Sequence, residues 1–221
     1  SSDRYQYILP YYSFNKTLSN NFFGGSLDLS SNGNNDLNNT NELKSKIIND
    51  IVFSSPDFIT NSGLKNDFNI NLKNLNSVGK NNNEYKSSPQ IELISIINFN
   101  STLPMVKKDD NYNNFLTPKL SLKINPNDMK NYSTSDRKIS TENIFNNNRL
   151  ALEDTLETGK SLTVGIDFKR EKIDEINKFF EMKLATVIRE KEELFIPKNN
   201  KINKKNSNLF GSISNNFSEH L

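Results

Sequence analysis

The sequence predicts an all-β fold: an antiparallel transmembrane β-barrel segment, about nine strands of a larger barrel, with long extracellular loops. Three observations predict it. Apolar and polar residues alternate over one stretch after another, as in Leu162, Val164, Ile166 and Phe168 against Ser161, Thr163, Gly165, Asp167 and Lys169, and successive strand side chains point to opposite faces. The connections between these stretches alternate shorter and longer, as periplasmic turns and extracellular loops do. The polar faces hold Lys, Asp, Glu and Arg, which a dry core rejects unless they are paired and a water-filled lumen accepts.

Taken in order, Arg4 to Leu18 is an aromatic-rich strand whose tyrosines, Tyr5, Tyr7, Tyr11 and Tyr12, suit a membrane-interface girdle. A turn at Ser19-Asn20-Asn21 leads to a second strand through Phe23, Gly25, Leu27 and Leu29. Ser31 to Asn41 reads as a long polar loop without apolar periodicity. A third strand alternates Leu43, Ile47, Ile51 and Phe53 against Lys44, Lys46, Ile48 and Asp50; a fourth carries Leu64, Phe68, Ile70 and Leu72. Asn74 to Lys86 reads as a second long loop, followed by a strand with Ile91, Leu93, Ile97, Phe99 and Leu103 on one parity.

Pro104 to Asn114 is a charged connection, and the next strand sets Leu116, Leu120, Leu122 and Ile124 against Thr117, Lys119, Ser121 and Lys123. Pro118 removes a ladder donor in the middle of it. Asn125 to Gly159 is the longest interruption, with a short helical turn predicted near Thr141 to Phe145. After the Ser161 strand, Glu171 to Asn177 links to a strand with Phe180, Met182, Leu184, Thr186 and Ile188 on one side and Glu181, Lys183, Ala185 and Arg189 on the other. A loop over Glu190 to Asn206 precedes a last strand through Leu209, Gly211, Ile213 and Phe217.

Composition agrees with a protein that buries one face per strand: hydrophobic residues are 33%, and Asn alone is roughly a sixth of the chain. Asn/Lys/Ile bias also points to an AT-rich genome, so the Asn count is discounted as a structural signal. A net charge of +2 is too small to imply nucleic acid, and the absence of Cys excludes disulfides and thiolate metal sites. No apolar run of about 18 residues exists, which excludes a spanning helix and leaves a spanning barrel open.

Motifs for covalent chemistry are missing. The single histidine, His220, builds no triad or metal site, and no cofactor or metal is expected. Asp109-Asp110-Asn111 opens like a calcium loop, but Asn114 stands where Gly is needed and Leu120 where Glu is needed. Two readings stand for Lys198, Lys201, Lys204 and Lys205 in the last loop: contact with lipid phosphates, or plain solvation.

The candidate site is the sheet itself. On the polar parity, Lys119, Ser121, Lys123, Thr163, Asp167, Lys169, Glu181, Lys183 and Arg189 are assigned to the lumen; on the apolar parity, Leu120, Leu122, Leu162, Val164, Ile166, Phe168, Met182, Leu184 and Ile188 are assigned to lipid. Those charges either line a passage for an amphipathic, charged substrate or form a cross-strand ladder that stabilises the wall. Other readings of the pattern are a porin or receptor barrel and a soluble Asn-rich β-sandwich. In the sandwich a second sheet would cover Leu162, Val164, Ile166 and Phe168.

Several motifs in order resemble the LptD family, the lipopolysaccharide-assembly outer-membrane proteins also called organic solvent tolerance proteins. They are Thr102-Leu-Pro-Met-Val-Lys107, Phe115-Leu-Thr-Pro-Lys-Leu-Ser121, Asn127-Asp-Met-Lys-Asn131, Asn148-Arg-Leu150, Gly159-Lys-Ser-Leu-Thr-Val-Gly165, Leu184-Ala-Thr-Val187 and Asn206-Ser-Asn-Leu-Phe-Gly211. A weaker likeness extends back through Ser55-Pro-Asp-Phe-Ile-Thr60, and the version in α-proteobacteria is the most similar. The resemblance implies a large barrel in the Gram-negative outer membrane that takes lipopolysaccharide from a periplasmic bridge protein and releases it into the outer leaflet. It further implies the lipoprotein LptE as a plug in the lumen and no enzymatic activity. Residues 1–221 are expected to be part of that single barrel domain, with the family's amino-terminal jelly-roll domain and the first and last barrel strands outside this stretch. No lateral-gate residue is carried over.

Overall fold

Long alternating stretches joined by polar connections satisfy their backbone donors and acceptors most simply by pairing with their sequence neighbours. The computed structural model describes residues 6–38 and 41–216; Arg4, Tyr5, Phe217 and His220 lie outside them. Its strands are β1 (Gln6–Phe22), β2 (Gly25–Asn38), β3 (Glu42–Ser54), β4 (Phe58–Ile59), β5 (Lys65–Lys80), β6 (Gln90–Thr102), β7 (Met105–Lys108), β8 (Tyr112–Asn125), β9 (Gly159–Lys172), β10 (Phe179–Arg189) and β11 (Phe210–Asn215). They form one open antiparallel sheet in the order β1-β2-β3-β5-β6-β8-β9-β10-β11, with β4 on β5 and β7 on β8.

Eight strands of 11 to 17 residues and the six described residues of β11 make up the nine expected, and the two short ones, β4 and β7, are continuations past prolines. Along β5, β3 pairs with Asn69 to Lys80 and β4 with Lys65 and Asn66, so β4 resumes the course of β3 after Pro56. Along β8, β6 ends at Lys119 and β7 begins at Leu116, so β7 resumes β6 after Pro104. This accounts for Pro118. Its carbonyl accepts from Leu103 N–H at 3.1 Å, and in an antiparallel ladder a residue's N–H and C=O address the same neighbour. The missing donor of Pro118 therefore faces Leu103, beside the break at Pro104, where the ladder between β6 and β7 is already interrupted.

Three boundaries differ from the sequence reading. The first turn is at Phe23-Gly24, with φ of 49° and 79°, not at Ser19-Asn20-Asn21; two positive φ values in a two-residue hairpin match the right-handed twist of the strands. Ser31 to Asn38 is strand, and β5 runs on to Lys80, so strand takes up most of the first predicted polar loop and about half of the second. The cause is the Asn content that was discounted.

Asn and Ser side chains pair across these strands. Ser31 Oγ donates to Asn49 Oδ1 at 2.6 Å, Asn49 Nδ2 to Asn74 Oδ1 at 3.1 Å, and Asn76 Nδ2 to the same oxygen at 2.7 Å. These amide ladders replace the apolar rows that periodicity looks for. Strands of 13 to 17 residues in β1, β2, β3 and β5 result, against about 10 expected for a membrane crossing.

The chain divides into two compact units. Residues 1–56, 69–96 and 152–156 form the first. One face of its sheet shows Ile47, Ile51 and Leu72 to the outside, while Ile48 and Leu75 on the other face are buried. On that inner face Lys73 Nζ meets Asp50 Oδ2 at 2.8 Å, and Leu156 packs with Ile94 and Ile96. Lys46 pairs with Glu153 at 3.0 Å. Residues 57–68, 97–151 and 157–221 form the second unit, which holds the candidate site.

Pro118→Ala is expected to leave the heat-modifiable mobility of the full-length protein within about 2 °C of its original midpoint, a near-neutral change. Leu122→Pro, between two continuous neighbours, should lower that midpoint clearly.

Candidate functional site: a polar wall and the connection that covers it

Strand alternation sorts the second unit into two faces. On one, cross-strand partners set Leu122, Leu162 and Ile188 in a row, then Leu120, Val164 and Thr186, then Pro118, Ile166 and Leu184, then Leu116, Phe168 and Met182. The nine apolar positions singled out in the sequence are all on this face. Their side chains are half-buried or exposed, Leu122 at 37% and Ile188 at 42%. From Leu162 to Phe168 the apolar band runs about 20 Å along the strand.

The opposite face carries the polar parity. Asn98, Lys123, Ser161 and Arg189 form one row and Asn100, Ser121, Thr163 and Val187 the next. Lys119, Gly165 and Ala185 follow, then Asp167 with Lys183 and Lys169 with Glu181. In the lower rows charge meets charge: Lys119 pairs with Asp167, Lys169 with Glu171 at 2.7 Å, and Lys183 with Glu181 at 3.4 Å and Glu142 at 3.0 Å. The upper rows are sealed. Ser121 and Thr163 have no exposed surface, Lys123 keeps 2% and Arg189 4%.

Residues 126–151 and 157–158, within the long interruption between β8 and β9, make that seal. A single turn at Ser140 to Ile144, with the Ile144 N–H donating to Ser140 O at 3.0 Å, is the helical turn read near Thr141 to Phe145. It buries Ile144 completely. Thr141 Oγ1 meets Ser212 Oγ at 2.9 Å, and Lys123 Nζ donates to the carbonyls of Asn146 and, at 3.0 Å, Asn147.

Phe145 lies over Gly165: a Cβ built there would meet Phe145 Cζ at 2.8 Å and Leu184 O at 2.7 Å. Lys119 Nζ is 5.7 Å from the centre of the same ring. A glycine inside a strand marks such a close approach. The second long connection, between β10 and β11, packs here too. Tyr132 N–H donates to Phe195 O at 2.8 Å, and Ile196 and Ile202 are fully buried. Lys198, Lys201, Lys204 and Lys205 stay exposed on it, with Lys204 bonded to Glu192 at 2.8 Å.

A buried ion cluster fixes the cover. Glu157 accepts from the Arg149 Nε at 2.7 Å, and its Oε1 is shared by Nη2 of Arg149 and Nη2 of Arg189. Arg149 also donates to Thr163 Oγ1 at 2.8 Å and Ser161 Oγ at 3.0 Å, joining connection to wall. Arg189 reaches Thr158 O at 3.1 Å and Ile202 O at 2.5 Å. Burial by itself would raise the Glu157 carboxyl, but the charges of Arg149 and Arg189, the Arg149 hydrogen bond and Lys123 outweigh it and hold the group well below the usual carboxylate range.

Sequence reasoning found Arg189, Lys123 and Thr163 through strand parity and missed Arg149, Glu157 and Phe145, which sit where no periodicity exists. The available signal was Leu150, Leu152 and Leu156 within an otherwise polar stretch. No cluster of metal-ligating side chains occurs among the described residues.

An oily face opposite a charged, hydroxyl-rich face across β8, β9 and β10 is the pattern of a barrel wall, and the comparison with known families decides which barrel. The family model for LptD, LPS transport system D, matches residues 5–221. The chain belongs to the LptD family. LptD proteins are outer-membrane proteins of lipopolysaccharide transport, so the transport role and the all-β fold read from the sequence stand. No curated protein matches the chain.

Gly165→Val should push Phe145 off the wall, at a cost of about 1–3 kcal/mol typical of overpacking; limited proteolysis of the full-length protein would then cut within residues 126–158 at lower protease concentration. Because the folded Glu157 carboxyl titrates below its unfolded value of about 4.3, its contribution is complete above that pH and is lost as pH falls through the depressed value. Hydrogen-exchange protection of residues 144–157 should accordingly hold steady between about pH 6 and about pH 5 and decline below about pH 4.

Proposed function

We propose that this chain is the mid-barrel wall of a translocon that inserts lipopolysaccharide into the outer leaflet, without covalent chemistry. One observation carries the reading beyond family membership: a continuous apolar band on one face and, behind it, a wall of paired charges and hydroxyls. The band is of the order of the roughly 25 Å outward belt of an outer-membrane barrel. In this reading Leu120, Leu122, Leu162, Val164, Ile166, Phe168, Met182, Leu184 and Ile188 contact lipid, and Lys119, Ser121, Lys123, Thr163, Asp167, Lys169, Glu181, Lys183 and Arg189 face the lumen.

The long connections leave the strands at one end, the extracellular end. Sugar and phosphate groups of the substrate follow the half-open lower rows, where cations and carboxylates alternate and no single sign dominates. A periplasmic bridge protein delivers the substrate, and LptE occupies the lumen.

The test is photo-crosslinking in cells that carry the full-length protein. A photoreactive residue in place of Lys169 should give lipopolysaccharide adducts that disappear when transport is blocked upstream, whereas one in place of Asp109, at the β7–β8 turn, should give none. Undiminished surface lipopolysaccharide after depletion of the protein, with no adduct at Lys169, would sink the reading.

A further inference from the structure

The top row of the polar wall has an unusual charge balance. Asn98, Lys123, Ser161 and Arg189 are adjacent across β6, β8, β9 and β10, and each keeps 4% or less of its surface. The row brings two cations, an amide and a hydroxyl, and no carboxylate. Carboxylates reach it only from the connections: Glu157 binds Arg149 and Arg189, while Glu193 lies against Gly159 and pairs with Lys191 at 3.8 Å. Lys123 has no carboxylate within ion-pair distance among the described residues and settles for the two peptide carbonyls of Asn146 and Asn147. The Asn98 amide is fully buried, and neither its nitrogen nor its oxygen has a hydrogen-bond partner among the described residues. Ser121 Oγ, in the next row, is equally unmatched.

A wall built only to receive this connection would satisfy those groups, because a buried unpaired amide costs free energy that a single apolar substitution would recover. The hydroxyl, amide, ammonium and guanidinium along one row are instead the donor set that recognises a phosphate or carboxylate, with arginine and lysine supplying charge-assisted bonds.

We propose that Asn98, Lys123, Ser161 and Arg189 form a binding site for the phosphate of a glycolipid headgroup, and that the Glu157 carboxylate and the Asn146–Asn147 carbonyls occupy it as a tethered stand-in. An incoming anion takes the place of Glu157 on Arg189 and releases the connection from the wall. The site thus couples arrival of the headgroup to opening of the cover, and it rests on the reading that the substrate is lipopolysaccharide.

The test uses the full-length protein in detergent with a spin label on Asn147→Cys, an exposed position, as the only reactive thiol. Phosphorylated lipopolysaccharide should mobilise the label at a concentration at least about tenfold below that needed with its dephosphorylated form, the worth of one charge-assisted contact. Lys123→Gln and Arg189→Gln should each raise the midpoint by a similar factor, whereas Glu157→Gln should lower it or leave the label mobile from the start. Equal response to both forms, or midpoints unmoved by Lys123→Gln, would overturn the proposal, as would inorganic phosphate acting at concentrations as low as the glycolipid. An unresponsive label alongside intact Lys169 adducts overturns this site alone; loss of the adducts as well removes the transport reading beneath it.

Discussion

One carboxylate, Glu157, decides how the second unit is put together. It is buried and comes from a connection rather than a strand, and it is shared by an arginine of the same connection and an arginine of the wall. Taking three charges out of water is costly unless every lone pair and N–H is used, and here hydroxyls of Ser161 and Thr163 and carbonyls of Thr158 and Ile202 complete the set. Removing one member would strand the others. The cluster therefore acts as a specific fastening, and the apolar residues of the connection, Ile144 and Leu150, pack only where it puts them.

The two faces of the sheet in the second unit differ in what covers them. The apolar face of the second unit is half open along its whole band, with none of the described residues covering it, whereas the upper rows of the polar face are closed. That inversion of the usual soluble arrangement is what the proposed wall between lipid and an aqueous interior requires. Within the polar face the lower rows balance their charges internally, and the top row borrows its anion.

Strand parity in the sequence was enough to separate the faces, since Leu162, Val164, Ile166 and Phe168 could not be turned inward without exposing Asp167 and Lys169 on the other side. The limits of that reading are physical. At Ser31 to Asn38 and Asn74 to Lys80 the only apolar side chains are Leu37, Leu75 and Val78, too few and too irregularly spaced for period two to carry a hydrophobic signal, and amide pairs help to hold the strands there. The connection after β8 has no period at all; its fold is set by long-range contacts of Arg149, Glu157 and Phe145 with strands that lie far along the sequence. Pro118 was visible and unexplained because its partner irregularity, Pro104, belongs to a neighbouring strand.

The amide ladder of the first unit bears on how the chain finds its pairing. Hydrophobic rows tolerate sliding by two residues, because one aliphatic side chain packs against another almost as well. Asn49 cannot slide in this way: it receives from Ser31 and gives to Asn74, and a two-residue slip would set Ile47 or Ile51 between them. The polar upper half of β2, β3 and β5 thus proofreads the alignment that the greasy lower half leaves degenerate, so that fidelity of assembly resides in the residues with the least hydrophobic driving force.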